Sequence, residues 1–300
     1  MERKYYIKEI IKYKSCYLMI MPFMILFFVF IVLPVISSFV LSFTNFNMLE
    51  LPKFAAFNNY IRLLLDDDVF LIAIRNTFVF ALITGPLGYF ACLIFAWLIN
   101  ELGPKLRAVL TFIFYAPSIS GTLFIMWAFI FSGDQYGYLN YFLNSLGIID
   151  EPVQWLNNPN TMLIIIIIVQ IWMSLGASFL AFIAGLQGVD RQLYEAAAVD
   201  GVKNRWQELF LITLPSMGPQ LLFGAVMQIS AAFAVSSICI ALAGFPSTDY
   251  AALTIVSHIM DYGTIRFELG YASALSFVLF SVIIIINSVI QAVIKKYADS

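Results

Sequence analysis

Charged positions in this chain are separated by six long stretches that carry no charge. No Asp, Glu, Lys or Arg occurs in residues 15–49, 76–100, 108–133, 152–189, 209–248 or 269–294. A surface helix of a soluble domain carries polar side chains on every turn, which these stretches forbid. A helix needs about 20 apolar residues to cross a bilayer core of about 30 Å, and every stretch is long enough. A membrane barrel would alternate apolar and polar positions over strands of about 10 residues. The runs Ile164–Val169 and Ile283–Ile286 do not alternate. In lipid the backbone must satisfy its own hydrogen bonds, so the pattern predicts an all-α membrane protein. The expected transmembrane helices lie near 17–43, 72–99, 108–132, 161–185, 218–244 and 269–294. Pro22, Pro34, Pro86 and Pro117 fall inside them and are expected as kinks, which membrane helices tolerate.

Composition narrows the class. Apolar residues make up 62%, aromatics 16% and charged residues 11%, with a mean hydropathy of +0.91. Soluble chains carry about 25% charged residues. A disordered chain, a nucleic-acid binder, a disulfide scaffold and a soluble enzyme are excluded. The basic residues also assign the two sides. One side holds Arg3, Lys4, Lys8, Lys12, Lys14, Lys105, Arg107, Arg191, Lys203, Arg205, Lys295 and Lys296; the other holds only Lys53, Arg62, Arg75 and Arg266. Both termini are therefore expected in the cytoplasm. The chain reads as a cytoplasmic segment 1–16, a membrane domain 17–294 and a cytoplasmic tail 295–300. The first apolar segment is too long for a signal peptide and lacks an Ala-x-Ala site, so it is expected to remain as a span.

Candidate chemistry is sparse. Cys16, Cys92 and Cys239 have no metal-ligand spacing and are expected to pack in or beside the spans. The lone His258 is expected to be structural. Asp66-Asp67-Asp68 lacks the spaced oxygens and closing Glu of a calcium loop and is expected as a solvated helix edge. No metal site and no catalytic group is expected. The external loops, about 44–71, 133–160 and 245–268, could cap a pore or meet an external partner.

One expected cytoplasmic loop, 186–217, is larger than a connector needs to be. Asp190 can cap a helix N-terminus by accepting from free backbone N–H groups. Leu193 to Val199 is rich in helix formers. Gly201 fits the left-handed position after a helix end. A second helix can start near 203 and run until Pro215 perturbs it, with Trp206 and Phe210 on one face. A helix–Gly–helix element with apolar side chains outside the membrane suits docking to a cytoplasmic protein. The alternative is a segment lying on the membrane surface.

The same loop carries a family resemblance. Glu195-Ala-Ala, Asp200-Gly201 and Ile212-Thr-Leu-Pro215 resemble the signature of binding-protein-dependent ABC importer permeases. Asp before the Gly resembles the carbohydrate branch. Pro34-Val-Ile-Ser-Ser-Phe, Leu41-Ser-Phe-Thr, Phe57-Asn-Asn-Tyr60, Asn76-Thr-Phe78, Trp155-Leu156 and Gly270-Tyr-Ala-Ser-Ala274 look like MalF-like sugar permeases. The end at Lys295-Lys-Tyr-Ala-Asp-Ser differs from the tail of the MalG-like partner, which points to a heterodimer of two permeases. The chain departs from the family pattern at Gly244-Phe-Pro246 and at Val202.

The resemblance implies a six-span permease of MetI-like fold in a bacterial or archaeal cell membrane. It implies a second permease subunit, two cytoplasmic ATPase subunits and an external solute-binding protein. It also implies a coupling helix at Glu195, Ala196, Ala197, Asp200 and Gly201, seated in an ATPase groove. This chain has no phosphate-binding Gly-x-x-x-x-Gly-Lys-Ser/Thr loop. It is expected to bind no cofactor, with ATP and Mg used by the ATPase subunits.

For solute contact, Gln170, Trp172, Ser174 and Ser178 in the fourth span and Gln228, Ser230, Ser236 and Ser237 in the fifth offer uncharged hydrogen bonds and an aromatic face. The same groups also serve to join helices. Spans without charge suit a neutral solute such as a sugar or oligosaccharide. Alternatives are the same machine carrying a peptide or polyamine, and a stand-alone secondary transporter. An embedded enzyme would need ionisable residues inside the spans.

Overall fold

The computed structural model describes residues 12–298. The expected cytoplasmic segment 1–16 is described only from residue 12. Arg3, Lys4 and Lys8 lie outside the described residues, as does the end of the expected tail 295–300. The described residues form two compact units: 12–66 with 259–278, and 67–258 with 279–298.

The first unit begins with α1, Lys14–Leu41, long and apolar enough to cross a membrane. A two-stranded antiparallel hairpin follows, pairing Thr44 with Phe54 and Asn45 with Lys53. Then comes α2, Asn58–Leu65. Buried Asn59 donates from Nδ2 to the carbonyls of Ser42 and Thr44, at 2.8 and 2.9 Å. The Tyr60 hydroxyl meets Ser42 Oγ at 2.7 Å. Gly270 donates its N–H to Phe46 O at 3.0 Å. A Cβ there would stand 2.0 Å from Thr44 O, so only glycine fits. The Arg62 guanidinium lies 4.3 Å from the ring centre of Tyr271 and pairs with Glu268.

The second unit is built on α3, Asp68–Asn100, a 33-residue helix that stays continuous through Pro86. Its buried positions include Ala73, Thr77, Ala81, Thr84, Gly85, Gly88, Cys92 and Ala96. Spaced by three or four apart from the adjacent Thr84 and Gly85, they form one stripe of small residues, which lets neighbouring helices approach closely. After α3 come α4 (Pro104–Ser120), α5 (Met126–Ile130), α6 (Tyr138–Ser145), α7 (Pro159–Met173) and α8 (Ala177–Gly188). Next are α9 (Arg191–Val199), α10 (Arg205–Ser216), α11 (Gly218–Phe233), α12 (Ser237–Ala243), α13 (Ile255–Met260) and α14 (Leu269–Ala298). α13 and α14 each pass from one unit into the other.

Among the described residues, four helices are long and apolar enough to cross a membrane, or six spans if each of two bent pairs counts as one. Three expected helices are not continuous. The one near 108–132 turns by 89° between Ser120 and Leu123, where Gly121 adopts a left-handed φ of +64°. The one near 161–185 is interrupted at Ser174–Gly176, where the Gly176 N–H bonds back to Ser174 O at 2.7 Å. The one near 218–244 stops at Phe233, and two residues on Thr254 Oγ1 donates to Val235 O at 2.8 Å. Apolar length predicted the spans, but a break of three residues does not change apolar length.

Proline leaves a repeated mark. Pro34 and Pro215 each follow a π turn, Phe28–Val32 and Leu209–Thr213. In each case the residue just before the proline donates five positions back, Leu33 to Phe28 O and Leu214 to Leu209 O. Proline cannot donate to the carbonyl four residues earlier, and the wider turn accommodates that loss.

Two smaller expectations change. Asp67 is not solvated: it is buried, caps α3 by accepting from Phe70 N–H at 2.9 Å, and meets buried His258 Nε2 at 2.9 Å. His258 thus serves the fold. Cys92 and Cys239 are buried, whereas Cys16 is exposed.

Candidate functional site

A cleft lies against the first and third breaks and just ahead of the second. It encloses about 240 Å³ and is lined by Ser118 and Gly121 from the first break, Gln170 and Met173 ahead of the second, and Ala234 and Ser237 around the third. Interrupted helices free backbone groups at depth, tolerated where they are buried in protein or line a cavity. Transporters place solute sites at such discontinuities. The cleft offers a side-chain amide and hydroxyls, with no ionisable side chain in its lining.

The predicted contact residues divide. Gln170 and Ser237 share the cleft. Trp172 is half-buried edge-on against Trp127, ring centres 5.5 Å apart. Ser174 Oγ donates to Ile171 O at 2.6 Å, and Ser178 Oγ to Gly224 O at 3.1 Å. Buried Gln228 donates to Cys92 Sγ and to Ser174 O. Ser230 and Ser236 contribute carbonyls, to Ala234 N–H at 3.1 Å and to Ile240 N–H at 2.9 Å. Of the eight, only Gln170 and Ser237 line the cleft; Ser174, Ser178 and Gln228 hold helices together. The sequence reading missed Ser118 and Gly121. A glycine four residues after a proline in an apolar stretch is the signal that could have found them.

The expected coupling loop forms as read, with its helix bounds made definite. Asp190 caps α9 by accepting from Gln192 N–H at 3.0 Å. Asp200 ends the helix, and Gly201 has φ +95°. Val202 N–H returns to Ala197 O at 3.0 Å, the hydrogen bond of a glycine-terminated helix end. Asn204 then caps α10 by accepting from Gln207 N–H at 2.8 Å. Glu195, Ala196, Asp200 and Gly201 are exposed, Ala197 is half-buried, and α9 has no buried residue. The Tyr194 hydroxyl meets Thr213 Oγ1 at 2.8 Å and ties α9 to α10. Beneath the loop lies an open cleft of about 780 Å³, bordered by Trp97, Glu101, Arg107, Glu195 and Arg205. Trp206 is not only presented outward, because its ring packs 5.0 Å from that of Trp97.

On the expected external side, residues 132–155 fold around Asn140. Its Nδ2 donates to Ser132 O, Asp134 O and Val153 O, and its Oδ1 accepts from Val153 N–H and Trp155 Nε1. The Ser132 hydroxyl and the Tyr136 N–H hold the Asp134 carboxyl below the usual carboxylate range. Tyr136, Tyr138 and Tyr141 stand exposed on this lobe. Among the described residues no group of three His, Cys, Asp or Glu side chains could hold a metal ion.

Comparison with known proteins gives these observations a context. Residues 88–299 match the family described as binding-protein-dependent transport system inner membrane component. The chain is 33% identical over 282 residues to the probable ABC transporter permease protein YesP of Bacillus subtilis, covering 91% of this chain and 88% of that one. It is 34% identical over 215 residues to the lactose transport system permease protein LacF of Rhizobium radiobacter, covering 70% of each. It also matches a chain in the crystal structure of a bacterial alginate ABC transporter in complex with alginate pentasaccharide-bound periplasmic protein. That match has a TM-score of 0.73 and 25% identity, and covers 97% of this chain and 94% of that one.

Proposed function

This chain belongs to the family of binding-protein-dependent transport system inner membrane components, and on that premise we propose that the cargo of its importer is a sugar or oligosaccharide. It is a multi-pass permease subunit of an ABC importer in the inner membrane, and the chain is not itself an enzyme. The observation that carries the cargo reading is an uncharged hydrogen-bonding cleft beside the helix breaks, in a chain one of whose relatives is named for lactose. Gln170 and Ser237 would hold cargo hydroxyls there, and Gly121 would set the turn that opens the first break.

The expected machine has a second, different permease beside this one, an external binding protein and two ATPase subunits that bind ATP and Mg. The tyrosine-bearing lobe around Asn140 suits contact with the binding protein, since aromatic side chains anchor protein interfaces. α9 would seat in the ATPase groove through Glu195, Ala196 and Ala197, with Asp200 and Gly201 fixing its end. Closure of the ATPases around ATP would displace α9 and switch the pathway.

The test is to purify the assembled importer with its binding protein and measure thermal shifts against neutral oligosaccharides, uronate oligomers, peptides and polyamines. Stabilisation by neutral oligosaccharides is the expected result, and a response to peptides or polyamines alone overturns the sugar reading. Likeness to an alginate transporter favours one second reading, an acidic glycan, which the uronate arm distinguishes.

A further inference from the structure

α3 connects the coupling loop with the helix breaks. At its expected cytoplasmic end, Trp97 packs on Trp206 with ring centres 5.0 Å apart. One turn on, Glu101 accepts from the Arg205 guanidinium at 3.1 Å, and Arg205 also pairs with Glu208 at 2.8 Å. Trp206 in turn stacks on Phe210, 6.4 Å between ring centres at 19°. So α10 meets α3 through one ring pair and one ion pair, next to each other. Tyr194 and Thr213 carry α9 along with α10.

Further along α3, the Cys92 thiol donates to Ser174 O at 3.3 Å, the carbonyl at the second helix break. A Cβ on Gly88 would stand 3.0 Å from the Ser174 side chain, so α3 and the break are already in close contact. Trp97 lies five residues from Cys92, about 7.5 Å along a helix axis at 1.5 Å per residue. α3 shows no break over its 33 residues, so a displacement at Trp97 has no hinge in which to be absorbed before Cys92.

We propose that Trp97 and Glu101 are positioning residues that receive the displacement of the coupling loop through Trp206 and Arg205 and pass it along α3 to the helix break at Ser174. The proposal rests on the coupling role of α9 given above. It adds a route within this chain, ending beside Met173, which lines the cleft where the cargo would sit.

The experiment uses the assembled importer in proteoliposomes and reads three quantities: uptake per ATP hydrolysed, ATP hydrolysis, and ATPase subunits bound per permease. Trp97→Ala and Trp206→Ala are compared with Trp97→Phe and Trp206→Phe, with Gly201→Asp run alongside. Uptake per ATP should fall about tenfold in the alanine variants, within the range for residues along a coupling route, with ATPase subunits still bound. The phenylalanine variants should stay within about twofold of the parent, because an aromatic contact is retained. Glu101→Gln changes a partly exposed side chain and keeps its size. It should lower uptake per ATP by about threefold, as expected for a surface ion pair. Alanine variants that keep the parent ratio while Gly201→Asp uncouples would overturn the route and leave the α9 reading intact. Uncoupled alanine variants beside a normally coupled Gly201→Asp would keep the route and remove Gly201 from the coupling set. Loss of ATPase subunits from the alanine variants would overturn the route by making these docking residues.

Discussion

The side-chain amide of Gln228 donates to Cys92 Sγ at 3.1 Å and to the carbonyl oxygen of Ser174 at 3.0 Å. One buried donor group thus ties α11 to α3 and satisfies a carbonyl that the break at Ser174–Gly176 takes out of its helix. Gln228→Ala should therefore lower stability by about 1 kcal/mol, a typical upper value for hydrogen bonds between membrane helices. Cargo affinity should be unchanged. Thermal unfolding of the purified subunit and equilibrium uptake kinetics together test this; weakened affinity at unchanged melting would place Gln228 on the pathway.

Gln170 and Ser237 make the opposite case. Both line the small cleft, and Ser237 is exposed to it. Gln170→Ala should raise the KM for uptake about fivefold, as expected for one lost hydrogen bond worth about 1 kcal/mol, with melting unchanged. Ser237→Ala should do the same more weakly. An unchanged KM in both variants removes the cleft as the cargo site.

Gly224 packs under Phe182, and a Cβ there would stand 2.3 Å from Phe182 Cζ. Gly224→Ala should cost about 1–3 kcal/mol, the usual penalty for overpacking. The double variant Gly224→Ala with Phe182→Leu should recover most of it, because the shorter side chain vacates the ring position. A thermal-melt cycle of the two single variants and the double measures the coupling.

Asn140 makes five hydrogen bonds and is almost fully buried. Asn140→Asp preserves the acceptor oxygen that Val153 and Trp155 use but replaces three donor contacts with repulsion between oxygens. A buried unsatisfied polar group costs about 1–3 kcal/mol and a charged one more. The lobe should loosen while the spans hold. Limited proteolysis should then cut within 132–155 much faster than in the parent, and equal cleavage rates would refute the hub role.

How much of this was legible in the sequence depends on what each feature leaves in composition. Spans leave long uncharged runs, and among the described residues four return as long apolar helices, with two more only where each bent pair counts as one span. The loop proposed for coupling leaves Asp190, three consecutive alanines and Gly201, each with a local reason, and the helix–Gly–helix element formed where they indicated. The breaks leave almost nothing. Ser174 and Val235 sit in runs as apolar as their neighbours, and their carbonyls are claimed by Gln228 and Thr254, 54 and 19 residues away. Gly121 and Gly176 each lie in a break, but a lone glycine in an apolar run is a weak signal. Residues that carried the family resemblance often prove to be latches. Asn59 holds the hairpin, Asn76 donates to the carbonyls of Tyr250 and Leu253, and Trp155 donates to Asn140. Asp67 was misread because three aspartates in a row look solvated, while the middle one turns inward to His258.

Gly201 separates a backbone requirement from a contact requirement. Its φ is +95°, and a Cβ there would meet nothing within 4 Å. A side chain therefore strains the turn without clashing, at a cost of about 1–2 kcal/mol for a left-handed residue. The glycine is exposed and outside the buried core, so that cost should fall on the ends of α9 and α10 and not on the spans. Gly201→Asp should leave normal amounts of subunit in the membrane, keep ATPase subunits bound and let ATP hydrolysis continue while uptake falls by at least about tenfold, a loss of about 1.4 kcal/mol in coupling. Gly201→Asn should be milder, because asparagine enters left-handed conformations more readily than most residues. If asparagine and aspartate variants both transport normally, the turn at Gly201 is a loop ending and not part of the coupling.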